Sequence, residues 1–172
     1  MGRHAPGGAE GGPRGQEVSI PAGKPVPRFS LRDQHGAEVA VGGEAEDGRA
    51  TLLVFYPFAF SGVCGSELAA LRDAGGEFDG ERVRLVAVSC DPMHSLRGYA
   101  DQEGFGFPLL SDFWPHGSAA RAYGVFDEAR GCAGRGSFLI DRDGVLRWSL
   151  VNPISEARPL DAYREALAGA GL

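Results

Sequence analysis

The chain has 172 residues, of which 43% are hydrophobic, and this is enough to fill the core of one compact domain. Its net charge of -6 argues against nucleic acid as a partner, because binding phosphates requires a basic face. No apolar run approaches the ~20 residues of a membrane span, and the N-terminus lacks the apolar region of a secretory signal. We therefore expect a cytoplasmic protein that does not bind membranes.

The first part of the chain predicts a tail followed by a hairpin. Residues 1–17 are rich in Gly, Pro and Arg and show no apolar periodicity, which predicts a disordered tail. The folded domain is then expected over residues 18–172. Two short extended segments, at 25–31 and 38–41, are separated by a turn at 33–36, and this pattern indicates an N-terminal β-hairpin.

The remainder of the chain alternates strands with helices. Residues 51–56 are continuously apolar and end at Pro57, which favours a central strand buried on both faces. The next predicted elements are a helix at 63–78, a strand at 82–89, a helix at 93–102, a strand at 107–110 and a short helix at 118–123. Two strands at 135–141 and 145–151 flank a turn, and a helix at 160–167 closes the domain. This order predicts an α/β fold with a mixed central sheet flanked by helices.

The residue that carries the most chemical information is Cys64, which follows the buried strand and begins the next helix. Unpaired backbone N–H groups and the helix dipole favour a thiolate at this position. Ser61 can place a hydroxyl near the same sulfur, where it can both donate and accept a hydrogen bond. The alternative is structural: Cys64 would be a small buried hydrophobe and Ser61 a helix cap.

The spacing of Pro57, Ser61 and Cys64 resembles the peroxiredoxin signature Pro-x-x-x-Thr/Ser-x-x-Cys. Further segments are similar to segments of that family in the same order: Pro27-Arg28-Phe29-Ser30-Leu31, Phe107-Pro108-Leu109-Leu110-Ser111-Asp112, Tyr123-Gly124-Val125 and Arg135-Gly136-Ser137-Phe138-Leu139-Ile140-Asp141. The resemblance extends over residues 18–170, and the stretch 108–124 is most similar to the one-cysteine subgroup of actinobacterial alkyl hydroperoxide reductase E.

The resemblance implies a thioredoxin-like fold and a role for each matching residue. Cys64 would be the peroxidatic cysteine, and Ser61 would hydrogen-bond its thiolate and the peroxide. Pro57 would shield the thiolate from water. Arg135 would stabilise the thiolate and the charge on the leaving oxygen, while Glu67 would help to orient the arginines of the site.

The implied activity is the reduction of hydrogen peroxide and organic hydroperoxides, in which Cys64 becomes a sulfenic acid. The position five residues later, where one subgroup keeps a resolving cysteine, is Ala69, and the C-terminal tail contains no cysteine. We therefore expect an external thiol to reduce Cys64. This is either a low-molecular-weight thiol such as mycothiol or a thioredoxin- or glutaredoxin-like protein.

The sequence leaves two alternatives to this mechanism open and disfavours a third. Cys90 or Cys132 would resolve Cys64 in a two-cysteine peroxidase, but each would require local unfolding of the helix that carries Cys64. A redox sensor that passes its oxidation to a protein partner would use the same thiolate. A thiol–disulfide oxidoreductase is disfavoured, because it needs C-x-x-C and the fourth position here is Glu67.

The histidines bear on metal binding, and Trp114 bears on the oligomeric state. His4, His35, His94 and His116 are scattered, so no metal site or other cofactor is predicted. Trp114 is either a core residue or an anchor for a contact between subunits, since interfaces favour aromatic side chains. The family resemblance favours a homodimer.

Overall fold

A computed structural model of the chain describes residues 20–172. The predicted disordered tail at 1–17 and the predicted start of the domain at 18 lie outside these residues. In chain order the strands are β1 (Phe29–Arg32), β2 (Glu38–Val41), β3 (Ala50–Phe55), β4 (Val83–Ser89), β5 (Leu109–Ser111), β6 (Phe126–Asp127), β7 (Cys132–Ala133), β8 (Arg135–Ile140) and β9 (Leu146–Asn152). The helices are α1 (Gly62–Ala74), α2 (Met93–Glu103), α3 (Ser118–Ala122) and α4 (Leu160–Gly169).

The main sheet has five strands in the order β5-β4-β3-β8-β9. β3 pairs in parallel with β4, and β4 with β5, whereas β8 is antiparallel to both β3 and β9. The strands β1 and β2 form a separate antiparallel hairpin, with Phe29 opposite Val41. The predicted α/β fold, with a mixed central sheet and an N-terminal hairpin, is confirmed.

Helices cover the main sheet on both faces, as the apolar sequence of β3 predicts. Alternate side chains of a strand point to opposite faces. Leu52 and Val54 therefore lie in one core, with residues of α1, α2 and α4, and Leu53 and Phe55 lie in a second core with residues of α3. Every residue of β3 is buried as a result.

Two local features differ from the sequence prediction. The helix predicted to extend to Phe78 ends at Ala74, because Gly75 follows with a positive φ of 54° and a short 3-10 turn replaces the last helical turn. The strands β6 and β7 were not predicted. Each has two residues, too few to show an alternating pattern.

The sheet register determines which residues can meet at the candidate site. Val54, near the end of β3, lies opposite Ser137, near the start of the antiparallel strand β8. The loop that follows β3 and the first residue of β8, Arg135, therefore lie at the same edge of the sheet. The sequence places them more than 70 residues apart, but the antiparallel register brings them together.

Candidate active site

The loop between β3 and α1 is anchored at its beginning. Tyr56 and Pro57 are buried, and the Tyr56 N–H donates to the carbonyl of Val88 at 3.0 Å. The Ala59 N–H donates to a carboxylate oxygen of Asp91, which follows β4, at 2.9 Å. These contacts hold the loop against the carboxyl ends of the two parallel strands.

Cys64 is the third residue of α1, and its side chain is fully buried. The Gly65 N–H donates to the Ser61 carbonyl at 2.8 Å and so makes the first hydrogen bond of the helix. The N–H groups of Gly62, Val63 and Cys64 precede that bond and have no intrahelical acceptor. The predicted position of Cys64 at a helix N-terminus is thus the one observed, and the local field favours negative charge there.

Ser61 occupies the N-cap position of α1, but its side chain does not cap the helix. Its hydroxyl instead donates to the Phe58 carbonyl at 2.9 Å. A hydroxyl that donates one hydrogen bond keeps its lone pairs for accepting another. The capping role considered above does not apply. The single hydroxyl proton is donated to Phe58, so the hydrogen bond from Ser61 to the Cys64 thiolate that the resemblance implies is not formed in this structure.

Glu67 and Arg135 form a buried ion pair one helical turn after Cys64. Arg135 Nη1 donates to Glu67 Oε1, and both side chains are only 3% exposed. Arg135 Nε donates to the Ile154 carbonyl at 2.6 Å. The structure therefore brings together the glutamate and the arginine that the sequence analysis assigned to one site, and it fixes the plane of the guanidinium group.

Arg158 is a third member of this cluster, and the sequence analysis did not identify it. Its Nε lies 2.9 Å from Glu67 Oε2 and its Nη2 lies 3.1 Å from Glu67 Oε1. Its Nη1 donates to the Gly136 carbonyl at 2.9 Å and to the Ser137 hydroxyl at 3.0 Å. The side chain is completely buried, so these contacts replace the water that a guanidinium normally binds.

The charges of this cluster shift the pKa values of its members. Burial acts to raise the pKa of Glu67, but hydrogen bonds and charge from Arg158, together with the charge of Arg135, outweigh it and lower that pKa below 4.5. Burial acts to lower the pKa of Arg158, whereas negative charge at Tyr163, Glu67 and Cys64 raises it. Glu67 and Arg158 are therefore both ionised at neutral pH, and Cys64 is close enough for its charge to act on Arg158.

The other two thiols are buried and free. Burial raises the pKa of Cys90 to about 12, and negative charge at Asp112 adds to this effect. Burial likewise raises the pKa of Cys132 to about 11. Cys90 lies in the core on the face of the sheet opposite that of Cys64. The structure thus separates Cys90 from the candidate site and leaves both thiols protonated at neutral pH.

Three further observations concern metals, membranes and the surface. Within residues 20–172, no group of three or more His, Cys, Asp or Glu side chains is placed to hold a metal ion. The same residues contain no helix with the length and apolar character needed to cross a membrane. Trp114 is 81% exposed, which excludes the core alternative for this residue, and the neighbouring Phe113 is exposed as well.

Comparison with known proteins identifies the same family as the sequence motifs. The model of the AhpC/TSA family matches residues 22–149. Alkyl hydroperoxide reductase E of Mycobacterium tuberculosis is 43% identical over 146 residues, covering 85% of this chain and 95% of that protein. A putative peroxiredoxin of Clostridium pasteurianum is 32% identical over 151 residues, covering 81% of this chain and 83% of that one. The crystal structure of peroxidoxin BcpB from M. tuberculosis superposes with a TM-score of 0.72 at 27% identity, covering 87% of this chain and 96% of that chain.

Proposed function

The chain belongs to the AhpC/TSA family of peroxiredoxins and is a thiol peroxidase, and we propose that Cys64 is the residue that attacks the hydroperoxide. One observation carries this proposal. Cys64 lies in the first turn of α1, beside N–H groups without intrahelical acceptors, and the buried cluster of Glu67, Arg135 and Arg158 begins one helical turn later. Both features stabilise negative charge at the sulfur and on a departing oxygen.

The proposed reaction is a displacement at oxygen. The Cys64 thiolate attacks the nearer oxygen of ROOH, so that an S–O bond forms while the O–O bond breaks. The electron pair of the broken bond leaves with RO⁻, which then takes up a proton, and Cys64 becomes a sulfenic acid. The substrates are hydrogen peroxide and organic hydroperoxides.

The surrounding residues have distinct proposed roles. The Ser61 hydroxyl accepts a hydrogen bond from the peroxide while it donates to Phe58, which orients the O–O–H group. Pro57 is buried beside the loop and excludes water from the sulfur. Arg135 uses Nε and Nη1 for Ile154 and Glu67, and its Nη2 stabilises the charge on the leaving oxygen. Glu67 is the positioning residue for both arginines.

We propose that the thiol that reduces the Cys64 sulfenic acid belongs to another molecule. Attack on a sulfenic acid requires a thiolate, and burial keeps the pKa of Cys132 at about 11 and that of Cys90 at about 12. A low-molecular-weight thiol such as mycothiol, or a thioredoxin- or glutaredoxin-like protein, completes the cycle. The cytoplasm, where such thiols are kept reduced, is the compartment that this cycle requires.

Intact mass measurement tests the mechanism. Reduced protein is mixed with one equivalent of hydrogen peroxide or cumene hydroperoxide beside Cys64→Ser, with Cys132→Ser as the matched control. We expect wild type and Cys132→Ser to gain one oxygen atom and Cys64→Ser to gain none. Loss of two hydrogens in wild type would instead establish a two-cysteine mechanism, with Cys132 as the resolving thiol if Cys132→Ser does not lose them and Cys90 if it does. No change in wild type within seconds would overturn the proposed role of Cys64.

The alternative role as a redox sensor makes a different kinetic prediction. A peroxidase consumes many equivalents of peroxide when a thiol reductant is supplied, whereas a sensor reacts once for each Cys64. We expect multiple turnovers with mycothiol or with a thioredoxin system. Oxidation that stops at one equivalent with every reductant would support the sensor.

We also propose that the protein is a homodimer and that Trp114 contributes to the contact. Trp114 is 81% exposed, and Phe113 beside it is also exposed, so together they present apolar surface that a second copy would cover. Sedimentation velocity should give a dimer for wild type and a shift toward monomer for Trp114→Ala. A monomeric wild type at micromolar concentration would contradict this assembly.

A further inference from the structure

Two buried hydroxyl groups near Cys64 have no hydrogen-bond partner. Among the side chains of residues 20–172, the buried polar atoms without a hydrogen-bond partner are the phenol oxygens of Tyr56 and Tyr99. An unpaired buried hydroxyl costs free energy, so its presence requires an explanation. The Ser89 hydroxyl lies near Tyr56, which makes Tyr99 the stronger case.

The Tyr99 hydroxyl faces the first turn of α1. Tyr99 lies on α2 and is 1% exposed, and its ring contacts that of Phe60 at a centroid distance of 4.9 Å. A Cβ atom placed on Gly65 would lie 3.6 Å from the hydroxyl oxygen. Gly65 follows Cys64 directly, so the hydroxyl lies within van der Waals reach of the helix turn that carries the reactive cysteine.

The Tyr99 phenol is also held in the protonated, donating form. Burial raises the pKa of Tyr99 to about 12, and negative charge at Cys64 is the next contribution. The group can therefore donate a hydrogen bond at any pH at which Cys64 reacts. In the reduced protein it has no acceptor, but an oxygen atom that arrives at the sulfur would provide one.

We propose that the Tyr99 hydroxyl is a catalytic hydrogen-bond donor to the peroxide oxygen that Cys64 takes up. This inference rests on the proposed role of Cys64. As the S–O bond forms and the O–O bond breaks, the electron pair leaves on the other oxygen, and Tyr99 keeps its proton throughout. The same hydrogen bond then persists to the oxygen of the sulfenic acid.

The test compares Tyr99→Phe with wild type in two reactions of Cys64. Stopped-flow kinetics with hydrogen peroxide measures a reaction that transfers oxygen. Alkylation of Cys64 by iodoacetamide, followed by peptide mass, measures a reaction of the same sulfur without oxygen transfer. We expect the rate constant with peroxide to fall roughly 3- to 10-fold, as for one neutral hydrogen bond, and the alkylation rate to stay unchanged.

Tyr123→Phe is the matched control. Tyr123 is also fully buried, but its hydroxyl donates to the Pro27 carbonyl at 2.8 Å in the core on the other face of the sheet. Removing that hydroxyl should lower the melting temperature and leave both rate constants unchanged. Tyr99→Phe loses no hydrogen bond in the reduced protein, so its melting temperature should not fall.

The outcomes separate the two proposals. A wild-type protein that is not oxidised by peroxide overturns the role of Cys64 itself. If wild type reacts and Tyr99→Phe reacts equally fast, or loses peroxide and alkylation reactivity in equal proportion, the role of Tyr99 is overturned. Should Tyr99→Phe fail to fold, Gly65→Ala places a methyl group beside the hydroxyl: a slower reaction with peroxide supports the inference, and an unchanged rate refutes it.

Discussion

Glu67 and Arg158, 91 residues apart in the chain, form a bidentate ion pair. The Arg158 backbone N–H donates a third hydrogen bond to Glu67 Oε2 at 2.5 Å. Arg135 donates to the same carboxylate. One buried carboxylate therefore compensates two buried guanidinium groups and leaves one positive charge in excess. That excess charge lies close to Cys64, where it favours an anionic sulfur and an anionic leaving group.

Replacing Glu67 with Gln should destabilise the fold and slow the reaction. The two guanidinium groups would then repel each other without a countercharge in a buried site, which typically costs about 3–5 kcal/mol. We expect a lower urea midpoint. We also expect slower oxidation of Cys64 by peroxide, because Arg135 loses the carboxylate that positions its guanidinium group. The matched control is Glu77→Gln, which removes a carboxylate from an exposed pair with Arg164 and should leave the midpoint unchanged. Equal midpoints for both variants would contradict the importance of the buried cluster.

The stability of the protein should fall in acid because of the same carboxylate. The pKa of Glu67 in the folded protein lies below 4.5, because Arg158 and Arg135 outweigh the effect of burial. A carboxylate with a lowered pKa contributes stability at neutral pH and loses it as the pH falls below about 4.5 and through the folded value. Urea midpoints measured from pH 7 to pH 3 should therefore decline more steeply in wild type than in Glu67→Gln. Parallel profiles would show that Glu67 titrates normally.

The contiguous part of the site could be predicted from the sequence. Of the dispersed part, Arg135 was predicted through the family resemblance and Arg158 was not predicted. Pro57, Ser61, Cys64 and Glu67 follow one buried strand, so a single motif places them together. Arg158 lies in the loop before α4, where its sequence context is that of a solvated charge. Its burial depends on Glu67 of α1, 91 residues earlier in the chain.

Two other features of the chain also depend on tertiary packing, which the sequence does not show. The apolar periodicity of α2 places Tyr99 on the buried face of its helix, but an unpaired hydroxyl is a property of the packed core alone. The exposure of Trp114 is another such property, because an aromatic residue in a loop is equally compatible with the core and with a surface.

Ser61 should tolerate Thr but not Ala. The hydroxyl donates to the Phe58 carbonyl and is the proposed acceptor for the peroxide O–H, and both roles need only a hydroxyl group at this position. Ser61→Ala should slow oxidation of Cys64 by roughly 3- to 10-fold, in keeping with the loss of one neutral hydrogen bond. Ser61→Thr keeps the hydroxyl and adds a methyl group that restricts its rotamer, so its rate should equal or exceed that of wild type. Stopped-flow kinetics measures the rate of Cys64 oxidation by peroxide in both variants. A wild-type rate for Ser61→Ala would exclude the proposed role of the hydroxyl.

Gly136 should not accept a side chain, because it lies between the arginines and the core. A Cβ atom on Gly136 would approach Val125 Cγ1 to 2.7 Å and the Phe138 ring to 3.2 Å. Gly136→Ala should therefore cost about 1–3 kcal/mol of stability, as other overpacked core substitutions do. The Gly136 carbonyl also accepts a hydrogen bond from Arg158 at 2.9 Å, so a shift of β8 should slow the oxidation of Cys64 as well.

A double-mutant cycle with Val125→Ala tests whether contact with Val125 causes the loss of stability expected for Gly136→Ala. Val125→Ala alone leaves a cavity and should destabilise the protein. In the double variant the new methyl group occupies the space that the Val125 side chain has vacated, so the combined loss of stability should be smaller than the sum of the two single losses. Urea denaturation of the four proteins measures this difference. Strictly additive losses would mean that Gly136→Ala acts on the backbone of β8 rather than through Val125.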